Sequence, residues 1–231
     1  MPIGVAFATG ALRTCALFGA VDMPTLEVVA RSLRVRRFRR NEVVFHQGDP
    51  GDSLYVIESG SVKIILASAE GDEAIIATLH RGDFFGELAL LDGAARSATA
   101  TAVESTSTLV LSREPFLALI DSEPSLRAAL LASLAGELRR LTGHVEELHF
   151  LDLAGRLAMR LARLARAEDP SAGEIRLGWP YTQSDLAGMI GGTRQSVNRL
   201  LGGLVERGLV RFDGDTIVIP DVDLLAQSAE R

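Results

Sequence analysis

Short runs of apolar residues separated by turn signals occupy the chain from about residue 35 to residue 112. The runs VVF, LYVIE, VKIIL and AIIATL alternate with the turn-forming segments QGDPGD, SGS and EGDE. Many short β-branched and aromatic runs at this spacing are typical of an antiparallel sandwich or jelly roll. The chain should reverse direction at several glycines, namely Gly48, Gly51, Gly60, Gly71 and Gly82.

Helical periodicity replaces this pattern on both sides. Residues 22–33 place apolar side chains on one face of a short amphipathic helix. The segment before them is expected to be a loose arm leading into a short packed segment. After Pro115 the apolar residues recur at spacings of four, three, four and three, an a/d seam of the kind that pairs two helices. The seam consists of Leu134, Leu138, Leu141, Val145 and Leu148. Packing against the β-domain of its own chain is the alternative.

Residues 182–205, TQSDLAGMIGGTRQSVNRLLGGLV, have the pattern of a helix-turn-helix. Ala187 falls where two helices must approach closely, and Gly191 falls where the turn needs a left-handed residue. Thr182 is expected to cap the first helix, with Asp185 favouring the same N-terminus. The pair should be buried by Leu186, Ile190, Val197 and Leu200. A solvated helical hairpin on a larger core is the alternative.

The second helix of this pair presents polar residues suited to reading DNA: Thr193, Arg194, Gln195, Asn198 and Arg199. Arginine can donate two hydrogen bonds to guanine O6 and N7, and glutamine or asparagine can pair in the same way with adenine. Downstream, Leu209–Phe212 and Thr216–Ile219 flank the turn Asp213-Gly214-Asp215. Two strands around such a turn predict a hairpin, the wing of a winged helix.

The segment GDFFGELALLDGAARSATA at residues 82–100 is a candidate anion site. Gly86 lets the backbone approach a ligand closely, and Arg96 supplies a planar cation suited to a phosphate. Glu87 can accept hydrogen bonds from a sugar hydroxyl, and a helical turn at 87–91 would aim N–H groups at an anion. From the residues alone, Glu87 and Arg96 could equally form a structural ion pair.

Composition and charge narrow the class of protein. The 231 residues are 47% hydrophobic and carry a formal net charge of −6, which allows one or two domains with a real core and excludes a coat of basic charge. A local DNA-binding patch remains compatible with this balance. Around the second helix of the pair, Arg194, Arg199, Arg207 and Arg211 are opposed only by Glu206. The basic run RVRRFRR at 34–40 precedes a strand pattern and is expected to be a solvated face.

The sequence lacks the residue patterns of disulfides, metal sites, membrane spans and common enzyme motifs. The single cysteine, Cys15, cannot form an internal disulfide or a metal cluster, and the four histidines lack diagnostic spacing, so no metal is expected. No apolar run reaches the ~18 residues of a membrane span, and no Lys or Arg precedes Arg13, which argues against a signal peptide. The chain has no P-loop, HExxH motif or nucleophile elbow. These absences predict a cytoplasmic protein that is not an enzyme.

The segment GELAL at 86–90, followed by Arg96-Ser97-Ala98, resembles the phosphate-binding cassette of cyclic-nucleotide-binding domains. With the segments at 46–60 and 192–210, the chain resembles the cyclic-AMP receptor protein / fumarate-nitrate regulator family of bacterial transcription regulators. The resemblance implies that Glu87 bonds the ribose 2′-hydroxyl and that Arg96 holds the cyclic phosphate. The helpers it implies are Gly86, Ser97 and the backbone N–H groups of Leu88, Ala89 and Ala98.

One pair of residues departs from the family pattern. In the family's cyclic-AMP receptor, a Thr-Ser pair on the dimer helix contacts adenine, and the corresponding positions here hold Leu141 and Thr142. Thr142 can still hydrogen-bond a base edge, whereas Leu141 cannot and also fits the apolar seam. We therefore expect phosphate and ribose recognition to be intact and base selectivity to be weaker or different.

Together these features predict an α+β protein in three parts. Residues 1–115 would form an N-terminal antiparallel β-roll, the cyclic-nucleotide-binding jelly roll. Residues 116–151 would hold the long dimerisation helix, and 152–231 a C-terminal winged helix-turn-helix that binds DNA. Asp152 is expected to cap a helix over 153–167 that ends near Asp169-Pro170.

The predicted function is that of a homodimeric transcription regulator controlled by a cyclic nucleotide, with cyclic AMP as the first expectation. Ligand between the roll and the dimer helix would favour one geometry of the hinge at 149–153. The two recognition helices would then enter major-groove turns ~34 Å apart on a two-fold symmetric site. Expected partners are a second copy of the chain, double-stranded DNA and RNA polymerase. The alternatives are a regulator of the same fold with another effector or none, and a regulatory subunit of an enzyme.

Overall fold

The computed structural model describes residues 4–68, 73–168, 174–178, 182–214 and 216–230. The chain divides into two compact units, one up to Arg139 and one from Arg140 onward, and the division falls inside a single long helix. The first unit contains two β-sheets with helices at both ends of the sequence, and the second contains helices and a small sheet. An α+β architecture with an N-terminal roll and a C-terminal helix-turn-helix is therefore confirmed.

The strands of the first unit form two antiparallel four-stranded sheets, in the orders β1-β8-β3-β6 and β2-β7-β4-β5. Their bounds are β1 Arg34–Phe38, β2 Val43–Phe45, β3 Ser53–Ser59, β4 Val62–Ala67, β5 Glu73–Leu79, β6 Phe84–Phe85, β7 Thr99–Ala102 and β8 Thr106–Ser112. Apolar side chains from both sheets share one core, which contains Tyr55, Val62 and Ala100. The jelly-roll pattern of short strands is thus confirmed.

Two details of the roll differ from expectation. The basic run at 34–40 does not merely precede a strand, because its first residues form β1, at the edge of one sheet. Its arginines are exposed, as predicted for a solvated face, while Phe38 alone is fully buried. Of the glycines expected at chain reversals, Gly48, Gly60 and Gly82 have positive φ, whereas Gly51 does not and Gly71 lies outside the described residues.

The helices that begin in the first unit are α1 Val5–Thr14, α2 Met23–Ser32, α3 Glu87–Asp92, α4 Arg113–Ser122 and α5 Pro124–Phe150. The amphipathic helix predicted at 22–33 is confirmed as α2, and the Asp22 carboxylate caps it by accepting from the Thr25 N–H at 2.8 Å. The expectation of a loose N-terminal arm is wrong. Residues of that arm form α1, whose Ala8 and Leu12 are completely buried in a second apolar core.

The apolar stripe of α5 is exposed along most of its length. Leu138, Leu141, Val145 and Leu148 expose 66%, 40%, 54% and 46% of their surface. Leu134 differs from these four because it is half-buried against the core of its own unit. Leu131, three residues before it, is 67% exposed. The exposed stripe therefore includes Leu131, which the sequence pattern left out.

The second unit contains the predicted helix-turn-helix and wing. Its elements after α5 are α6 Leu153–Glu168, β9 Ile175–Gly178, α7 Gln183–Ile190, α8 Arg194–Glu206, β10 Arg211–Asp213, β11 Thr216–Ile219, α9 Val222–Gln227 and a 3-10 turn, Ser228–Glu230. The Asp152 carboxylate accepts from the Gly155 N–H at 2.8 Å, so the predicted cap of α6 is confirmed. The hairpin β10-β11 is confirmed too, and β9 adds a third strand that sequence reasoning missed. Asp169, Pro170 and Asp215 lie outside the described residues.

Candidate functional site

Gly86 links β6 to α3 in a conformation that favours glycine. It is the residue before α3, with φ 86° and ψ 6° in the left-handed region. A Cβ at this position would lie 2.6 Å from Nη1 of Arg96 and 3.1 Å from the Ser53 carbonyl oxygen. Both the backbone angle and the crowding therefore require a residue without a side chain. The close approach of a ligand to the Gly86 backbone stays a prediction, and the neighbours that crowd this position within the chain are Arg96 and Ser53.

Arg96 lies almost entirely inside the roll, with 4% of its surface exposed. Its Nη1 donates to the Gly86 carbonyl at 2.7 Å and its Nη2 donates to the Ser53 carbonyl at 2.8 Å. Nε is buried and has no hydrogen-bond partner within the described part of the chain. Backbone oxygens hold this guanidinium, so a simple ion pair with Glu87 does not account for its position.

The charge state of Arg96 is maintained despite its burial. Burial lowers the pKa of the Arg96 guanidinium, and the charges of Tyr55, Asp52, Glu87 and Asp49 act in the opposite direction. An arginine remains protonated in proteins even after a considerable reduction of its pKa. The site therefore contains a buried cation with unused donor capacity, which is the electrostatic requirement for binding an anion such as a phosphate.

The loop between β2 and β3 closes over the cassette. The Gly48 N–H donates to the Arg96 carbonyl at 2.9 Å, and the Arg96 N–H donates to the Asp49 carbonyl at 2.9 Å. A Cβ on Gly51 would lie only 2.1 Å from the Cβ of Ala89 in α3 and 3.5 Å from Cζ of Arg96. Gly51 is thus a close-contact glycine at the site, and its spacing among turn residues gave no sign of this role.

Substitution of Gly51 tests that contact. Gly51→Ala is expected to destabilise the first unit by about 1–3 kcal/mol, because the added methyl group must displace α3 or the loop. Gly10→Ala is the matched control, since Gly10 lies in α1 with nothing within 4 Å of its Cβ position. That change should be neutral or stabilising by up to about 1 kcal/mol. Thermal unfolding followed by circular dichroism compares the two, and equal melting temperatures would contradict the proposed crowding at Gly51.

The other residues of the predicted cassette divide by exposure. Glu87, the first residue of α3, is half-buried, while Ala89 and Ala98 are buried. Leu88 and Ser97 are exposed, and Leu88 keeps 43% of its surface. Thr142, the residue expected to contact the base, is exposed on α5 in the second unit.

The helix-turn-helix has the local structure that its sequence predicts. The Asp185 N–H donates to Thr182 Oγ1 at 3.1 Å and the Thr182 N–H donates to the Asp185 carboxylate at 2.7 Å, so the two residues form a capping box. Gly191 ends α7 in the left-handed conformation, with φ 69°. Thr193 caps α8 by accepting from the Ser196 N–H at 3.1 Å. Thr193, predicted to contact DNA, thus also has a structural role.

Burial within the helix pair differs from expectation at one position. Leu186, Ile190 and Val197 are buried as predicted. Leu200 is only half-buried, and the buried leucines of α8 are Leu201 and Leu204. The predicted buried face of α8 was therefore displaced by one residue at its C-terminal end.

The outer face of α8 is exposed and polar. Its exposed residues are Arg194, Gln195, Asn198 and Arg199. Nε of Arg194 lies 3.5 Å from Oε1 of Gln183, the first residue of α7. Arg211, expected to face only Glu206, is instead paired with Glu174 through two contacts of 2.9 Å. The basic patch near the recognition helix is consequently smaller than the sequence predicted, because one of its arginines is neutralised.

Two other kinds of site are absent from the described ranges. No helix there is both long enough and apolar enough to span a membrane. No three His, Cys, Asp or Glu residues of those ranges come together as possible metal ligands. Cys15 is fully buried, and burial raises the pKa of its thiol to about 11. A buried thiol with so high a pKa is unreactive at neutral pH.

Comparison with known proteins finds relatives along nearly the whole chain. The model of the cyclic nucleotide-binding domain family matches residues 35–123, and that of the Crp-like helix-turn-helix domain matches 155–228. A CRP-like cAMP-activated global transcriptional regulator of Mycobacterium tuberculosis is 32% identical over 219 residues, 94% of this chain and 98% of the relative. Cyclic AMP receptor protein of Thermus thermophilus is 34% identical over 213 residues, 92% of this chain and 96% of that protein.

Among solved structures, one similar protein is a regulator named for c-di-GMP rather than for cyclic AMP. It is the c-di-GMP responsive global regulator CLP of Xanthomonas campestris, with a TM-score of 0.74 and 27% identity. The match covers 86% of this chain and 99% of that one. The chain is thus similar to regulators named for cyclic AMP and to one named for c-di-GMP.

Proposed function

The chain belongs to the cyclic-AMP receptor protein / fumarate-nitrate regulator family of bacterial transcription regulators, and from that membership we propose that it acts as a homodimer with cyclic AMP as its effector. It is a cyclic-nucleotide-binding, DNA-binding transcription regulator. The proposal adds the identity of the nucleotide, the oligomeric state, a cytoplasmic location and RNA polymerase as a partner. It also adds the division into a ligand-binding roll at 1–115, a dimerisation helix at 116–151 and a DNA-binding domain at 152–231.

Arg96 is the observation that carries the ligand proposal. A buried guanidinium with an unpartnered Nε supplies a fixed positive charge and free N–H donors inside the roll. A singly charged cyclic phosphate matches that charge, and charge-assisted hydrogen bonds to it are strong. The Glu87 carboxylate is near enough to raise the pKa of Arg96 and has the acceptors that a ribose hydroxyl requires. The proposed contacts of Gly86, Leu88, Ala89, Ser97 and Ala98 complete the phosphate-binding segment.

The proposed base is adenine. Cyclic AMP is favoured because two relatives that span most of the chain are named for it. Thr142 is the residue proposed to hydrogen-bond the base. Leu141, which has no hydrogen-bonding group, favours a second candidate: a regulator of the same fold with another nucleotide as effector. The similarity to the c-di-GMP responsive regulator gives this candidate a specific alternative ligand.

Calorimetric titration of the full chain distinguishes these effectors. Cyclic AMP, cyclic GMP and c-di-GMP would be titrated separately into the same preparation. Tighter binding of cyclic AMP than of the other two is expected. Tighter binding of c-di-GMP or cyclic GMP would identify that nucleotide as the effector in place of cyclic AMP. Absence of binding for all three would contradict the ligand proposal. Footprinting with and without the nucleotide that binds then measures whether the ligand changes DNA occupancy.

The homodimer is supported by the exposed stripe of α5. Leu138, Leu141 and Val145 present apolar surface to solvent in the single chain, at the a/d spacing by which helices pair. A two-fold axis along this seam would make the interface self-complementary and the DNA site symmetric. The proposed hinge at 149–153 contains Leu151 and Asp152, which separate α5 from α6 without helical structure.

Arg194 tests sequence reading by α8. It opens the helix, where side chains of a recognition helix reach base edges. Arg194→Ala is expected to cost about 1–3 kcal/mol on the specific site and to relax the preference at one guanine in each half-site. The ratio of specific to nonspecific affinity should fall when both are measured by fluorescence anisotropy at one fixed salt concentration.

Arg207→Ala is the control for this measurement. Arg207 is also exposed but lies at the opposite end of α8, so its removal should change specific and nonspecific binding by the same factor, if at all. Nucleotide affinity should be unaffected by either substitution. Equal losses of specific and nonspecific binding in Arg194→Ala would make Arg194 a phosphate contact and would contradict base reading.

A further inference from the structure

An aromatic cluster lies against Arg96. Phe45 of β2, Tyr55 of β3 and Phe85 of β6 have ring centroids separated by 5.1 to 5.9 Å. Cζ of Arg96 lies 4.2 Å from the centroid of Phe45 and 5.8 Å from that of Tyr55. Phe45 thus provides the closest aromatic face to the guanidinium, and both distances are within the range of cation–π attraction.

The contacts of Arg96 fix two independent features of its guanidinium. Hydrogen bonds from Nη1 and Nη2 to the carbonyls of Gly86 and Ser53 hold its edge. These two hydrogen bonds do not prevent the guanidinium plane from tilting about the line that joins the two carbonyl oxygens. The ring of Phe45 restricts that rotation, because a planar cation gains most when its face lies over an aromatic face. The same ring also replaces some of the solvation that burial removes.

We propose that Phe45 is a positioning residue for anion binding, which holds the plane of the Arg96 guanidinium so that its remaining N–H donors are preorganised for a cyclic phosphate. This inference rests on the proposed function, in which the effector is a cyclic nucleotide. It assigns Phe45 an electrostatic role through Arg96 in addition to its packing against the core of the roll. Preorganised donors bind more tightly because less conformational freedom is lost when the ligand arrives.

Three substitutions separate that role from core packing. Phe45→Leu keeps an apolar side chain but removes the aromatic face, and should weaken cyclic AMP binding on the order of tenfold. Phe45→Tyr keeps the face and should bind within about twofold of the wild type. Phe85→Leu is the matched control, because Phe85 belongs to the same cluster but makes no cation–π contact with Arg96 in the described structure. It should leave the affinity within about twofold of wild type.

A double-mutant cycle tests whether Phe45 acts through Arg96. With Arg96→Gln the cation is gone, so adding Phe45→Leu should produce no further loss of cyclic AMP affinity. Calorimetry of the four full-length proteins gives the coupling. If Phe45→Leu does not fold, as judged by circular dichroism, Phe45→Met replaces it in the same cycle.

Two outcomes would overturn the role of Phe45. One is wild-type affinity in Phe45→Leu, and the other is an equal loss in the presence and absence of the Arg96 cation. Either result leaves the proposed function intact provided that the wild-type protein binds cyclic AMP. A wild-type protein that binds no cyclic nucleotide would overturn the proposed function itself, so the two failures are distinguishable.

Discussion

Arg96→Ala is expected to weaken cyclic AMP binding by about ten- to a hundredfold, because a charge-assisted hydrogen bond to the phosphate contributes roughly 1.5–3 kcal/mol. The guanidinium is 4% exposed and its Nε has no partner in the described part of the chain. A cyclic phosphate would therefore use donors that the protein itself leaves unused. Calorimetric titration of wild type and variant measures the change in affinity directly.

Loss of Arg96 also has a structural cost that must be separated from the loss of binding. The variant leaves the carbonyls of Gly86 and Ser53 without the donors they have in the wild type. Arg113→Ala is a suitable control, because Arg113 donates from Nε to the Leu90 carbonyl of α3 at 3.2 Å yet is exposed. It removes an arginine–carbonyl contact to α3 and leaves the hydrogen bonds of Arg96 in place. Unchanged affinity in Arg96→Ala, with a folded protein, would exclude this site.

Most of the fold could be predicted because its elements carry local signals. The strands of the roll are short apolar runs between turns, and the start of α7 is indicated by the capping pair Thr182 and Asp185. β1 could not be recognised in this way, because three of its five residues are exposed arginines and only Phe38 is buried. An edge strand can be built from charged residues since one of its sides faces solvent. The periodicity that identifies strands is then missing.

At the anion site, the sequence predicts the residue types but not all of the contacts between them. The residue types at Glu87 and Arg96 indicate anion and sugar binding, and a motif gives their spacing. The contacts of Gly51 with Ala89 and of Phe45 with Arg96 join segments about fifty residues or fewer apart in the chain but adjacent in the roll. Such contacts depend on how the strands pair. They have no local sequence pattern, so only the structure could identify them.

Helix faces can be predicted to within about one residue, and α8 shows why that matters. Successive positions on a helix differ by about 100° in direction. Assigning the buried position to Leu200 rather than Leu201 therefore rotates the predicted face substantially. The N-terminal half of α8 was placed correctly because Thr193 and Gly191 fix its start. At the other end Gly208 is left-handed, with φ 69°, and the Leu209 N–H donates to the Leu204 carbonyl at 3.0 Å. This glycine marks where α8 ends but does not indicate which of its leucines are buried.

The second large effect is expected for Leu141→Asp, which should convert the proposed dimer to monomer at micromolar concentration. In the single chain Leu141 is 40% exposed, so an aspartate there can be hydrated and the monomer should fold normally. In a two-fold seam, the substitution places two carboxylates in an apolar interface. Burial of an unpaired charge should cost at least about 3 kcal/mol, on the order of a hundredfold in the dimerisation constant. Sedimentation velocity across a concentration series measures this shift.

Leu224→Asp provides the comparison that makes the result specific to the seam. Leu224 lies on α9 and is 53% exposed, similar to Leu141, but it is not part of the a/d stripe. Its substitution adds the same charge and should leave the dimer intact. Because a symmetric DNA site requires both recognition helices, Leu141→Asp should also lose most specific DNA affinity, whereas Leu224→Asp should retain it. A fully dimeric Leu141→Asp protein would mean that the stripe of α5 packs within its own chain or that dimerisation uses another surface.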